Sequence, residues 1–235
     1  MKDWQFEDYV QYINDPKVFV NPVKDIIMFD NPVIEVLSKT PWWVIPIAYT
    51  PLEMLFSYNM YKGIQEGEIS VYSSFLYVIA GLIVWSLGEY LLHRFFFHGE
   101  DTWMKYVPFN RFLWTFHFTI HGIHHAFPSD RYRLVMPPVV GHIIFYIVFY
   151  LPITTIFKPA IAHSIFMGMA IMYQVYDLGH YYVHHNNPSE GSYFKMMKTY
   201  HMQHHYKFGT IGFGVSSKFW DVVFNTEILS EKKEN

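Results

Sequence analysis

Four apolar segments, each about as long as a membrane crossing, constrain the fold of this chain more than any other feature of its sequence. They cover about residues 42–58, 71–92, 138–157 and 159–178. A helix rises about 1.5 Å per residue, so about 20 apolar residues cross the hydrocarbon core of a bilayer. The first segment follows Pro41-Trp42-Trp43, an aromatic pair typical of the membrane interface. Buried core helices of a soluble bundle are the alternative, but four such segments favour an all-α integral membrane protein.

The composition agrees with a membrane protein and excludes several other classes. Hydrophobic residues make up 51% of the chain and aromatic residues 20%, whereas charged residues make up only 16%. A net charge of -3 argues against nucleic acid as the main partner. The chain has no cysteine, which excludes disulfides, thiolate metal sites and iron–sulfur clusters.

The distribution of Lys and Arg predicts the orientation of four transmembrane helices. Residues 1–40, the 93–136 connection and the chain after residue 178 carry 15 of the 17 basic residues, and the two opposite connections carry only Lys62 and Lys158. The positive-inside rule therefore places both termini and the 93–136 connection in the cytosol. We expect residues 1–40 to form an interfacial arm, with short amphipathic helices near 6–13 and 32–37 or only loose order. Segments 93–136 and 179–228 are expected to form a cytosolic helical cap.

Clustered histidines all fall on this predicted cytosolic side. A His-x-x-His-His motif occurs twice, and each copy places its imidazoles on one stripe of a helix, as does the His-x3-His pair. The five residues between His93 and His98 cover about 140° of a regular helix, so we expect one of them just past the second span. The ten candidate ligands are His93, His98, His121, His124, His125, His180, His184, His201, His204 and His205. One ion cannot bind so many imidazoles, which predicts two metal ions in the cap.

Four other residues are expected to support this site. Glu89 and Asp177 lie four and three residues before a candidate ligand, so either carboxylate is placed to accept the second ring N–H of a histidine. Tyr173 and Tyr176 share the face of Asp177 and are expected to line the substrate approach or to donate to bound oxygen. Packing at the membrane interface is the alternative for both tyrosines.

The remaining histidines are expected to play lesser parts. His117 and His185 stand beside the motifs and are predicted to support the ligands rather than bind metal. His142 and His163 lie within the third and fourth spans, where packing or a hydrogen bond is the expected role.

Neutral imidazoles at a membrane surface leave three kinds of site open: structural zinc, hydrolytic zinc and an oxygen-activating iron pair. A structural site needs only one tetrahedral set of ligands. A zinc hydrolase typically has a His-Glu-x-x-His pattern, which this sequence lacks. Iron with open coordination positions binds dioxygen and oxidises unreactive C–H bonds. At the bilayer surface, the expected substrate is a lipid chain.

The order and spacing of these motifs resemble the membrane fatty acid hydroxylase superfamily, and within it most closely the fatty acid 2-hydroxylases. The resemblance runs from about Pro41 to about Thr226 and fills all ten ligand positions. The sequences that carry it are Glu89-Tyr-Leu-Leu-His93-Arg-Phe-Phe-Phe-His98, His121-Gly-Ile-His-His125, Arg133-Leu-Val-Met-Pro-Pro138, Tyr176-Asp-Leu-Gly-His-Tyr-Tyr-Val-His-His185, and Gly212-Phe-Gly-Val-Ser-Ser217 with Trp220-Asp221.

The resemblance implies hydroxylation at carbon 2 of a fatty acid or of a sphingolipid acyl chain such as that of ceramide. It implies two metal ions, iron in the active enzyme although zinc can occupy such sites, together with O2 and two electrons per turnover. Many eukaryotic members carry an N-terminal cytochrome b5 domain, for which residues 1–40 are too few and contain no His-Pro-Gly-Gly motif. The expected electron donor is therefore a separate cytochrome b5 with its reductase, or a ferredoxin-type protein.

Other functions remain open from the sequence. Sterol desaturation or carotenoid hydroxylation on the same scaffold is the nearest alternative, and a non-catalytic membrane protein with structural zinc is a more distant one. The ending Lys232-Lys-Glu-Asn235 resembles a dilysine retrieval signal. The expected membrane is the endoplasmic reticulum in a eukaryote or the inner membrane in a bacterium.

Overall fold

The computed structural model describes residues 4–17, 26–107 and 110–229, and regular secondary structure in these ranges is entirely helical. The α-helices are α1 (Phe6–Ile13), α2 (Pro32–Leu37), α3 (Val44–Gln65), α4 (Val71–Leu91), α5 (Arg111–His117), α6 (Ile123–Ala126), α7 (Pro138–Phe145), α8 (Leu151–Ile156), α9 (Pro159–His185), α10 (Tyr193–Tyr206) and α11 (Phe219–Val223). Three π-helical segments (Leu92–Phe97, Phe118–Gly122 and Tyr146–Tyr150) and two 3-10 turns (Gly99–Asp101 and Trp103–Tyr106) join them. The dilysine-like ending lies outside the described ranges.

Four long helical stretches match the four apolar segments, although their limits differ from the expectation. α3 continues past residue 58 to Gln65 and ends just before Gly67, which has a positive φ of 74°. α9 likewise runs on past residue 178 to His185. Two stretches, Val71–Phe97 and Pro138–Ile156, are long and apolar enough to cross a membrane. α3 and α9 are less apolar, because prolines, tyrosines and polar groups interrupt them.

α9 is the central helix, and it packs against α3 and α4 along much of its length. Close backbone approach to α4 depends on two glycines. A Cβ built on Gly168 would lie 2.0 Å from the carbonyl oxygen of Val78, and one on Gly81 would lie 2.1 Å from that of Ile165. Glycine at both positions allows this approach, because a larger side chain would overlap the facing backbone.

α4 and α9 run parallel from this crossing toward the histidine motifs, since Trp85 contacts both Tyr173 and Tyr176 further along. His93 follows Gly81 by twelve residues, and His180 follows Gly168 by twelve residues. Two helices with the same rise therefore bring both histidines to the same level, about 18 Å beyond the glycine contact.

The N-terminal helix differs from the expected surface arm. Helices form near 6–13 and 32–37 as predicted, but α1 packs into the cap, where Tyr9 and Ile13 are 0% and 1% exposed among Trp114, Phe118 and other apolar residues. The reason is that the apolar stripe of α1 meets a matching aromatic surface on the cap. α2 by contrast leaves most of its apolar side chains exposed.

The glycine contact leads to a stability prediction. Gly168→Ala should destabilise the protein by about 2 kcal/mol or more, because the new methyl group forces α4 and α9 apart. Gly179→Ala is the matched control on the same helix, since a Cβ there meets no atom within 4 Å. The control should be neutral or more stable by up to about 1 kcal/mol. Thermal unfolding of both variants in the same detergent tests this, and equal melting temperatures for Gly168→Ala and the wild type would contradict the packing.

Candidate metal centre

The structure brings the candidate ligands together as two adjoining groups of buried histidines at the ends of α4 and α9. Within each group the possible ligand atoms all lie within 4.8 Å of one another. We call His93, His98, His125 and His204 the first cluster, and His124, His180, His184, His201 and His205 the second cluster. His121 stands beside the first cluster, with its Nε2 atom 3.4 Å from that of His98.

The π-helical segment Leu92–Phe97 explains how His93 and His98 reach one cluster. A π-turn joins residues five apart, and the amide of His98 donates to the carbonyl of His93 at 3.0 Å. The two rings consequently lie near each other, with centroids 5.0 Å apart. His98 does lie just past the helix, but the angle of about 140° for a regular α-helix does not apply there, because the π-turn is wider.

Each His-x-x-His-His motif contributes to both clusters. In α6, His124 belongs to the second cluster and His125 to the first. In α10, His204 belongs to the first cluster, while His201 and His205, one helical turn apart, belong to the second. Neighbouring helix positions differ by about 100° in direction. One short motif can therefore supply histidines to both clusters. The sequence pattern placed all imidazoles of a motif on one stripe and did not predict this division.

Backbone carbonyls orient two ligands of the first cluster. The Nδ1 atom of His93 lies 2.5 Å from the carbonyl oxygen of Phe213, and that of His204 lies 2.8 Å from the carbonyl oxygen of Ile211. A carbonyl only accepts hydrogen bonds, so each Nδ1 carries the hydrogen and each Nε2 keeps its lone pair for a metal. Both carbonyls belong to the loop between α10 and α11, which we call the closing loop.

Glu100 supports a third ligand of the first cluster, and the sequence interpretation missed it. Its Oε1 atom accepts from Nδ1 of His98 at 2.9 Å, and the carboxylate is only 2% exposed. Burial alone would raise the pKa of Glu100, but the imidazoles of His98 and His117 hold that pKa below its usual range. The signal was its position two residues after a candidate ligand.

The second cluster contains nitrogen atoms that require a cation or a proton between them. Nε2 of His201 lies 2.8 Å from Nε2 of His180 and 3.0 Å from Nε2 of His205. Both ring nitrogens of His124 and Nε2 of His184 are buried without a hydrogen-bond partner among the described residues. Leaving such atoms unpaired costs free energy. All-imidazole donor sets of this kind fit transition-metal ions, so the residues present are suited to two of them.

Burial also favours the neutral, metal-binding form of three cap imidazoles, those of His204, His124 and His205. It lowers the pKa of His204 to about 3, with the nearby imidazole of His98 adding to the effect. Burial and neighbouring imidazoles likewise hold the pKa of His124 and of His205 well below the ordinary value. These rings therefore have free lone pairs at neutral pH.

Glu89 and Asp177 are each expected from the sequence to accept a ring N–H of a candidate ligand histidine, but both carboxylates bind other groups. The carboxylate of Glu89 accepts from the amides of Val215 and Ser216, at 3.0 and 2.7 Å, and from the Ser216 hydroxyl. Asp177 accepts from the hydroxyl of Tyr173 at 2.9 Å and from a backbone amide before α7. The physical reason for Glu89 is that the amides of the closing loop bind its carboxylate, while carbonyls of the same loop bind the imidazoles. The carboxylate of Asp177 is held instead by Tyr173 and by the backbone before α7.

Tyr173 and Tyr176 line an apolar cavity between α3, α4, α7 and α9. The ring of Tyr176 stacks on His180 of the second cluster, with centroids 6.0 Å apart. Phe97, also in the cavity wall, stacks on His121 at 5.4 Å. The cavity therefore ends at side chains that touch His180 of the second cluster and His121 beside the first cluster.

The other histidines lie outside both clusters. Nδ1 of His142 bonds the carbonyl of Pro138 at 2.6 Å, and Nδ1 of His163 bonds the preceding turn in the same way. His185 packs on Tyr181 outside both clusters. His117 contacts Glu100 rather than either cluster, with its Nε2 atom 3.0 Å from Oε2 of Glu100.

A model of the fatty acid hydroxylase family matches residues 78–226, which include every candidate ligand. The chain belongs to the fatty acid hydroxylase family. This confirms the resemblance drawn from the sequence motifs.

Individual members of the fatty acid hydroxylase family are similar over most of this chain. Fatty acid 2-hydroxylase of Rattus norvegicus is 35% identical over 240 residues, covering 96% of this chain and 61% of that protein. A dihydroceramide fatty acyl 2-hydroxylase of Arabidopsis thaliana is 34% identical over 223 residues, covering 94% and 86%. The chain thus spans about three fifths of the mammalian relatives it matches.

A solved structure has the same fold. It is described as full-length scs7p with only the hydroxylase domain visible, and it superposes with a TM-score of 0.83 at 35% identity, covering 97% of this chain and 80% of that one.

Metal content tests the two clusters. Purified protein loaded with Fe2+ or Zn2+ should hold about two ions per chain, and His204→Ala should reduce this to about one, because it removes a ligand of the first cluster alone. His163→Ala, whose ring bonds the backbone outside both clusters, should keep the full content. Elemental analysis after desalting measures the ratio. Unchanged metal content in His204→Ala would contradict the assignment.

Proposed function

We propose that this chain hydroxylates carbon 2 of a fatty acyl chain, either as a free fatty acid or in an amide such as ceramide. The observation that carries the proposal is the position of two buried histidine clusters at the end of an apolar cavity. Relatives named fatty acid 2-hydroxylase and dihydroceramide fatty acyl 2-hydroxylase support the choice of reaction and of substrate.

The first and second clusters would each hold one iron ion, with His121 beside the first. Two such ions, when bound, supply activation of O2 for oxidation of an unreactive C–H bond. The all-imidazole sites also suit zinc, which would not support the reaction because it has no redox chemistry.

The overall reaction fixes what the partners must provide. One oxygen atom of O2 enters the C–H bond at carbon 2, and the other leaves as water with two electrons and two protons. A redox protein supplies the electrons, either a cytochrome b5 with its reductase or a ferredoxin-type protein. These partners follow from the balance of the reaction.

The protein's own side chains orient the acyl chain and exclude water. The apolar walls of the cavity bind the hydrocarbon, and Phe97 and Tyr176 form the layer next to the clusters. The Tyr176 hydroxyl makes no hydrogen bond to any described residue and lies near the charge of Glu89 and Asp177. We assign to it a hydrogen bond to the acyl carbonyl, which lies one bond from carbon 2. Asp177 holds Tyr173 in the cavity wall, and Glu89 holds the closing loop.

The membrane arrangement is part of the proposal. α3, α4, the α7–α8 stretch and α9 would cross the bilayer, with the termini and the cap (93–136 and 179–228) in the cytosol. The strongest support is Pro138–Ile156, which is highly apolar although only 6% of it is buried in the protein. Such a surface is stable against lipid rather than water. The 15 of 17 basic residues on one side support the orientation.

Lipid analysis tests the reaction. A host without its own fatty acid hydroxylase, given this chain and a redox partner, should accumulate 2-hydroxy acyl lipids detectable by mass spectrometry. His124→Ala should abolish the product because it removes a ligand of the second cluster, whereas His163→Ala should retain it. Altered sterols or carotenoids without any 2-hydroxy acyl lipid would contradict the proposed substrate and favour the alternative oxidation.

Removal of one hydroxyl tests the role of Tyr176. Tyr176→Phe should lower kcat/KM by about tenfold, because it removes a hydrogen bond to the acyl carbonyl while keeping the ring stacked on His180. Tyr146→Phe is the control, since that side chain is 51% exposed on the α7–α8 stretch. Initial rates with a defined acyl substrate measure the effect. Equal losses in the two variants would argue against the assigned hydrogen bond.

A further inference from the structure

A chain of buried polar contacts joins the N-terminal helix to a ligand of the first cluster. Nδ1 of His98 lies 2.9 Å from Oε1 of Glu100, and Oε2 of Glu100 lies 3.0 Å from Nε2 of His117. Nδ1 of His117 in turn lies 2.5 Å from the hydroxyl of Tyr9. All four residues are 2% exposed or less. These contacts are therefore shielded from bulk water.

The chemistry of the acceptors assigns the hydrogens along this chain. Nε2 of His117 donates its hydrogen to the carbonyl oxygen of Phe97 at 2.7 Å, and Oε2 of Glu100 lies beside the same nitrogen at 3.0 Å as a charge contact rather than an aligned hydrogen bond. In a neutral ring Nδ1 of His117 then accepts from the Tyr9 hydroxyl. The carboxylate also accepts from Nδ1 of His98, which leaves the Nε2 lone pair of His98 directed to the cluster.

The surroundings of Tyr9 hold its hydroxyl in place. Its ring stacks on Trp114 with centroids 5.1 Å apart, and α1 buries Ile13 in the same apolar group. The hydroxyl also passes close to Gly122, where a Cβ would lie 2.9 Å away. Gly122 directly follows His121. Because it has no side chain, it leaves room for the Tyr9 hydroxyl next to this histidine motif.

We propose that Tyr9 is a positioning residue for the first cluster, acting through His117 and Glu100 to fix the tautomer and orientation of His98. The N-terminal helix is then part of the metal centre rather than only a membrane-surface arm. Outer partners of this kind typically change metal affinity by about 10- to 100-fold when removed. The inference rests on the proposed two-ion site but not on the substrate.

Chelation of Co2+-loaded protein tests the inference. Tyr9→Phe keeps the stacked ring and removes only the hydroxyl, and Glu100→Gln removes the carboxylate charge. Tyr12→Phe is the matched control on the same helix, because its hydroxyl makes no hydrogen bond to the described residues. Bound Co2+ per chain is measured by elemental analysis across a chelator series, and the visible absorption of the bound Co2+ reports its coordination.

Tyr9→Phe should lose one of the two ions at about 10-fold lower chelator concentration than the wild type, and Glu100→Gln should lose it at about 100-fold lower concentration. In both variants the absorption spectrum should change for that ion only. Tyr12→Phe should match the wild type. Wild-type retention and spectrum in both Tyr9→Phe and Glu100→Gln, or the same loss in Tyr12→Phe, would overturn the proposal. A wild type that holds fewer than two ions would instead refute the metal centre itself.

Discussion

The burial of so many imidazoles in one volume is the constraint on which the rest of the structure depends. Each ring must stay neutral, keep one tautomer and point its lone pair inward, although it has lost contact with water. For three rings of the first cluster, the protein meets these requirements with fixed acceptors behind the ring: the carbonyls of Phe213 and Ile211 and the carboxylate of Glu100. The first cluster is therefore held in place by the closing loop and Glu100, and filling the two clusters with metal ions would couple metal binding to folding.

The helices below the cap determine the level at which the histidines meet. Gly81 and Gly168 let α4 and α9 touch along their backbones, and equal lengths of helix then lead to His93 and His180. The same two helices enclose the apolar cavity. One packing contact thus sets both the spacing of the metal ligands and the position of the site that we propose for the acyl chain.

Much of this arrangement is predictable from periodic patterns, and the remainder depends on contacts between distant segments. Apolar segment lengths predicted four long helices, and histidine spacing predicted convergence. Regular-helix geometry could not predict the π-turn that unites His93 and His98. It also could not show how the two His-x-x-His-His motifs divide between clusters. The roles of Tyr9 and the Phe213 carbonyl depend on tertiary contacts across 108 and 120 residues, which a local pattern does not contain, whereas Glu100 lies only two residues from His98.

The most direct test of the account is incorporation of labelled oxygen by the purified, iron-loaded protein with an acyl substrate and an electron donor. Under 18O2, the account predicts one labelled oxygen atom on carbon 2 of the acyl chain, seen by mass spectrometry of the product and its fragments. Product oxygen derived from water, or label at a different carbon, would contradict the claim that two histidine-bound ions direct O2 to the carbon beside the acyl carbonyl.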